Sequence, residues 1–239
     1  MITVEQAFLV LVLCAALAFL SWKLGLLTLD GSLASFAVGM VLGLFGGFGW
    51  LLVLVLFAVT GFVVTRYKME LKIKRRVQEG DKGERSYRNV LANGAVPMAV
   101  ATLTFLTGWE GELPVLIYLS AISVAAADTT ASELGVLSDR TYLITTFRRV
   151  LPGVDGGVSL YGTLWATMAS AFAAVVGWVV ILGGVPQPLV LIPISMGVLG
   201  CFIDSLIGAT LETKGLMSKL WNNVTSMAFG AGFAFLLIL

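Results

Sequence analysis

Apolar residues run along this chain in long blocks with short polar breaks, and the block lengths carry the first inference. Eight windows, at about 4–22, 31–46, 48–65, 88–107, 113–134, 159–183, 187–209 and 218–239, approach the roughly 20 residues that a helix needs to cross the hydrocarbon of a bilayer. The second and third are short and are divided only by Gly46-Gly47-Phe48-Gly49, where repeated glycine favours a tight turn between helices. The pattern predicts an all-α fold, a polytopic transmembrane helix bundle forming a single membrane-embedded domain over 1–239. It has eight spans, or seven if the second window is re-entrant. The first window follows Glu5 with neither a basic leader nor a small-residue cleavage site, so it is expected to be a retained span.

Charge sharpens the pattern. Hydrophobic residues make up 58% of the chain and charged residues 12%, far below the roughly 25% charged share of soluble domains. If the spans alternate, the segments at 23–30, 66–87, 135–158 and 210–217 share one face, and all fifteen Lys and Arg residues fall on it or its rim. The opposite face carries Glu5, Glu110 and Glu112. Such a bias makes the basic face cytoplasmic, which puts both termini on the other side, in what is expected to be the plasma membrane of a prokaryote. Cytoplasmic loops are then expected at about 66–87 and 135–158. In the first of these the third helix is expected to continue to about Val77 and to break at Gly80 and Gly83.

Composition also limits the chemistry. Histidine is absent, and the two cysteines, Cys14 and Cys201, sit inside apolar blocks, which gives neither a disulfide framework nor a zinc spacing. Proton or metal chemistry must therefore use carboxylates, hydroxyls, amides, Lys or Arg. There is no basic or acidic tail, and no nucleic-acid partner is expected.

Polar residues that interrupt the blocks mark the candidate site. Ala125 to Gly135 admits Asp128 and Glu133 into a helix-forming run, where a carboxylate costs a few kcal/mol or more unless it is paired, wetted or bound to a cation. Thr129 and Glu133 are four apart, as are Asp128 and Ser132, so oxygen atoms line two adjoining helix faces. That density suits Mg²⁺ held by carboxylates together with substrate phosphates. The device recurs in Asp204-Ser205-Leu-Ile-Gly208-Ala-Thr-Leu-Glu212. Gly197, Gly200 and Gly208 share its stripe and allow close helix approach, which aims Asp204 and Glu212 at the fifth window. Asn222 and Asn223 enter from the same side.

Two further clusters lie at that face. Arg85, Asn89 and Asn93 recur every four residues and can face an anionic substrate, or can merely cap the helix and snorkel. Gly153, Asp155, Gly156, Gly157 and Ser159 form a glycine loop at a helix start, where exposed amides and the helix dipole favour a phosphate. Arg148 and Arg149 precede that loop, and guanidinium forks match phosphate oxygens. The loop lacks the Gly-Lys-[Ser/Thr] ending of a Walker A motif.

Taken in order, Asn89-Val-Leu-Ala-Asn93-Gly94, Ala127-Asp-Thr-Thr-Ala-Ser-Glu-Leu-Gly135, Pro152-Gly-Val-Asp-Gly-Gly-Val-Ser159 with Gly162-Thr163, and Asp204 to Glu212 resemble a family of integral membrane proteins. This family includes animal transmembrane protein 19 and the plant phytyl-phosphate kinase. The resemblance spans nearly the whole chain. It implies a kinase that uses CTP or another NTP to convert a prenyl monophosphate, such as phytyl or geranylgeranyl phosphate, into the diphosphate. It further implies that Asn93, Asp128, Glu133, the Gly153 to Ser159 loop, Asp204 and Glu212 form the site. Two positions depart from the family: Gln is usual where Glu212 stands, and its Asn-rich start of the last span is matched only by Asn222 and Asn223.

Phosphoryl transfer needs metal ions on the phosphates and donors for developing charge. On this reading Asp128, Glu133, Asp204 and Glu212 hold Mg²⁺, and the glycine loop, Arg148 and Arg149 hold nucleotide phosphates. Arg85, Arg88, Asn89 and Asn93 hold the prenyl phosphate, and membrane lipids surround its chain. Thr129, Ser132, Ser205, Gly208, Asn222 and Asn223 complete the surroundings. A prenol kinase, a CTP-dependent cytidylyltransferase and an ion-coupled transporter are the rival readings, and a homodimer stays open.

Overall fold

Eight helices long and apolar enough to cross a membrane form in the computed structural model, which describes residues 3–78 and 83–239. In chain order they are α1 (Val4–Lys23), α2 (Leu29–Val41), α3 (Phe48–Arg66), then a short surface helix α4 (Met69–Arg75), followed by α5 (Tyr87–Thr107), α6 (Glu112–Gly135), α7 (Leu160–Ile181), α8 (Leu191–Ile207) and α9 (Lys219–Ile238). Wider, π-type turns prolong α2 over Leu42–Gly46 and α8 over Gly208–Glu212. The hairpin glycines behave as the sequence predicts, with Gly47 at φ +94° opening α3.

Helix α6 is the axis of the bundle: 83% of its membrane-length window is buried, against 11% for α1 and 28–33% for the other spans. In lipid there is no hydrophobic drive between helices, so close packing and satisfied polar groups hold α6 in place. Small residues on its neighbours provide the room. Val124 of α6 fills the notch left by Gly200 of α8 and Gly230 of α9, where a methyl on Gly230 would stand 2.6 Å from the Val124 side chain. Ser120 returns its hydroxyl to the Leu116 carbonyl (2.7 Å). Tyr118 donates to the Trp50 carbonyl (2.7 Å), with its ring stacked on Trp50 at 4.2 Å.

Two features depart from the sequence expectation. The loop at 135–158 contains a small antiparallel sheet in which β1 (Thr141–Leu143) lies between β2 (Arg149–Val150) and β3 (Gly157–Val158). The third helix stops at Arg66 and does not run on to Val77. Tyr67 is extended and Lys68 takes a left-handed conformation (φ +51°), so the chain doubles back into α4. The cause is tertiary: the Lys72 ammonium donates to the Val64 and Thr65 carbonyls (2.8 and 2.9 Å) at the end of α3, satisfying terminal acceptors that a longer helix would have used itself. Gly83 breaks the segment at φ +84°; Gly80 and Lys82 lie outside the described residues.

Candidate functional site

Helices α6, α7, α8 and α9 bring their polar ends together around a cavity of about 210 Å³. Asp128, Ser132 and Glu133 line it from α6, and Asp204 and Ser205 from α8, with Gly208 and Glu212 from the turn that prolongs α8. The loop Gly153–Ser159 and the first turn of α7 cover one side, and Lys219 and Asn222 of α9 close another.

The acids divide into two groups. Asp128 and Asp204 both line the cavity, with their carboxyl groups close enough to influence each other. Lys219 directs positive charge at both and at Glu212, and Arg85 adds its charge at Asp128. Asn222 is buried and ties the group together: its amide donates to Asp204 Oδ1 and to Glu212 Oε2, both at 3.2 Å, and to the Asp204 carbonyl at 3.1 Å. Ser226, one turn along, donates to Asp204 Oδ2 at 3.3 Å. Glu212 is the last residue of the π-type turn at Gly208–Glu212, from which it meets Asn222 of α9. Such bulges recur at functional sites.

Glu133 is placed differently. Its Oε2 accepts from Lys72 Nζ at 2.6 Å and its Oε1 from the Thr65 hydroxyl at 2.7 Å. Thr65 in turn accepts from Arg85 Nη2 at 3.0 Å. Lys72 is wholly buried, and so is Thr65. Of the four acids expected around one metal, Glu133 is thus engaged apart from the other three, and among the described residues no three His, Cys, Asp or Glu side chains have the arrangement of a metal cage.

The glycine loop lies against the prolonged end of α8. Gly156 has φ +75°, and a methyl there would stand 2.7 Å from the Ala209 Cα, so only glycine fits both conformation and contact. Gly153 (φ +88°) packs in the same way against Val77, the residue that follows the α4 region. Ser159 caps α7 by accepting from the Gly162 amide at 3.0 Å. This aims the positive end of the α7 dipole at the cavity. Thr141 also lines the cavity, and its hydroxyl is buried with no hydrogen-bond partner.

Several expected residues are elsewhere. Arg148 and Arg149 do not line the cavity. Pairing of β1 with β2 turns them outward, and Arg149 donates to the Asp139 carbonyl at 2.9 Å. Arg88 is exposed and donates to its neighbour Tyr87 Oη (3.3 Å). Thr129 is buried toward α3, where its methyl nears Gly61, and Asn223 does not line the cavity. Arg85, Asn89 and Asn93 do share a face, but they line a second cavity, between α1, α2, α3 and α5. In the sequence, Lys72 and Lys219 count only toward topology. Lys219 carried a usable signal, since it lies three residues before Asn222 on one helix face. Thr65 and Ser226 carried none.

Residues 12–234 match the family described as integral membrane protein DUF92. The chain is 33% identical to an uncharacterized membrane protein of Methanocaldococcus jannaschii, over 95% of this chain and 92% of that protein. It is 32% identical to Protein PGR of Arabidopsis thaliana over 87% of this chain and 79% of the relative. To Protein VTE6, chloroplastic, of the same plant it is 32% identical over 84% of this chain and 61% of the relative. No solved structure matches the chain.

Proposed function

We infer that this chain, which belongs to the integral membrane family described as DUF92, is a phosphotransferase that extends a prenyl monophosphate to the diphosphate at the cytoplasmic end of its helices. The carrying observation is the pair of facing carboxyls, Asp128 and Asp204, in a cavity shared with the glycine loop and the start of α7. The resemblance to the plant phytyl-phosphate kinase family supplies the substrate class, and the chemistry of the cavity agrees with it.

Two carboxylates pressed together in an apolar bundle repel unless a proton or cation lies between them. A Mg²⁺ ion fits this donor set, since it takes one or two carboxylates and fills its remaining positions with water and phosphate oxygens. Asp128 and Asp204 would hold it, with Glu212 at the edge. Bound there, it would draw charge from the transferring phosphoryl group.

The protein groups have separate tasks on this reading. The glycine loop, the α7 start and the Thr141 hydroxyl receive the nucleotide phosphates. Lys219 lies beside the acids and takes up developing negative charge. The acceptor phosphate is already largely ionised near neutral pH, so its oxygen attacks the γ-phosphorus without a histidine base. A new P–O bond forms, the bond to the β-phosphate oxygen breaks, and the electron pair leaves on the nucleoside diphosphate. Glu133, held by Lys72 and Thr65, keeps α4 against α6 and serves the site by position. The basic face is cytoplasmic, with the termini opposite and a prokaryotic plasma membrane as the setting.

The test is product identity. Purified protein receives geranylgeranyl or phytyl monophosphate, Mg²⁺ and each of CTP, ATP, GTP and UTP in turn. Prenyl diphosphate with the matching nucleoside diphosphate supports the inference. Released pyrophosphate identifies a cytidylyltransferase, phosphorylation of the free alcohol a prenol kinase, and no turnover in folded protein removes the reading.

A further inference from the structure

The second cavity, about 360 Å³, lies between α1, α2, α3 and α5 and is polar at one end only. Arg85, Asn89 and Asn93 stand at its cytoplasmic end with Ser21 and Ser35, while its depth is walled by residues such as Cys14, Val38, Leu54 and Ala58. The Asn93 amide oxygen is buried there with no hydrogen-bond partner. An apolar chamber with a few polar groups at its mouth has the form of a site for one amphiphile.

Arg85 connects this chamber to the acid pair. A methyl at Gly61 of α3 would lie 3.4 Å from Arg85 Nη1 and 3.7 Å from the Thr129 methyl, so the guanidinium approaches α6 at Thr129, and its charge is felt at Asp128. Among the described residues, Arg85 is also the one charged side chain lining the chamber. A third cavity, about 300 Å³ between α3, α6 and α7, is apolar as well, but it is lined by no charged group. Its polar groups are Thr60, Thr130 and the Trp165 indole, and it offers a phosphate no cation among the described residues. Helix α1, the outer wall of the chamber, has only 11% of its window buried and packs chiefly on α2, which gives a chain in the bilayer a way in.

We propose that the chamber between α1, α2, α3 and α5 binds the single hydrocarbon chain of the acceptor lipid and sets its length, with the lipid phosphate held by Arg85 next to Asp128. The proposal rests on the phosphotransferase reading for the identity of that lipid. A single anchored cation matches a phosphate monoester, and the polar groups are confined to one end, as a one-headed, one-tailed molecule requires.

Cys14 in the wall makes the proposal testable in the unmodified protein. Full-length protein in nanodiscs is treated with N-ethylmaleimide, and peptide mass spectrometry reads Cys14 separately from Cys201. Geranylgeranyl monophosphate is expected to slow Cys14 modification about tenfold, while isopentenyl monophosphate, with its short chain, leaves it unchanged. Alongside this, Ala58→Phe fills the chamber and is expected to weaken binding of the long-chain phosphate about tenfold, read by native mass spectrometry, and to leave the short-chain phosphate within about twofold. Ala169→Phe adds the same bulk to the third cavity and is expected to change neither. Protection of Cys14 without any turnover supports lipid-phosphate binding here and removes the kinase reading. Turnover without protection, equal protection by dioleoyl phosphatidic acid, or an effect of Ala169→Phe in place of Ala58→Phe overturns the proposal.

Discussion

Two acids near the C-terminal end of helix α6 meet opposite fates. Glu133 is answered inside the protein by a buried lysine at 2.6 Å and a hydroxyl at 2.7 Å. Asp128 faces another carboxyl, Asp204, with Lys219 and Arg85 contributing charge from beside it. The same side-chain chemistry on the same helix is thus neutralised within the protein at one position and set beside a second acid at the other. The partner decides which. A closed ion pair has little to offer a substrate, whereas two facing carboxyls have an electrostatic demand that a cation meets.

The comparison can be broken most severely at the facing pair. Asp128→Asn or Asp204→Asn is expected to lower phosphoryl transfer by about 10²–10³-fold, the scale on which single charge-stabilising groups act, with melting temperature little changed. Steady-state rates and a thermal melt on the same preparations check this. At the closed pair the largest effect should be on stability. Lys72→Met leaves Glu133 buried and unpaired and is expected to cost about 3–5 kcal/mol, whereas Lys72→Met with Glu133→Leu recovers most of that loss. Denaturant titration of the two variants gives the difference.

Smaller effects sharpen the boundary of the site. Gly156→Ala forces a Cβ against Ala209 at a positive φ and is expected to cost about 1–3 kcal/mol of local strain, raising the KM for nucleotide more than it lowers kcat. Arg149→Ala should change stability by less than about 0.5 kcal/mol and leave nucleotide affinity as it is, because its guanidinium is spent on the Asp139 carbonyl outside the cavity. A large loss of nucleotide affinity in that variant would return Arg149 to the phosphate site.

The spans and the acid cluster were legible in the sequence for one reason: in hydrocarbon, every polar residue is conspicuous. Asp128, Asp204 and Glu212 stood out, and helical spacing brought them toward one another. Lys72 was not legible, because a lysine in a juxtamembrane segment looks the same whether it marks topology or folds back 61 residues away onto Glu133. The stop at Arg66 was hidden for the same cause, since Lys68 takes its left-handed turn without a glycine to announce it. Arg148 and Arg149 were misplaced by their nearness in sequence to the glycine loop. Strand pairing between Tyr142 and Arg149 turns them to the outside, and two-residue strands leave too little pattern to be read in advance.

The central claim is that Asp128 and Asp204, and not Glu133, hold a divalent cation. Electron paramagnetic resonance of Mn²⁺ with the protein in nanodiscs tests it without relying on turnover. The account predicts saturable Mn²⁺ binding in the wild type, about tenfold weaker in Asp128→Asn and in Asp204→Asn, and unchanged in the Lys72→Met, Glu133→Leu double variant. Mn²⁺ binding that survives both aspartate substitutions, or that is lost with the double variant alone, would contradict it.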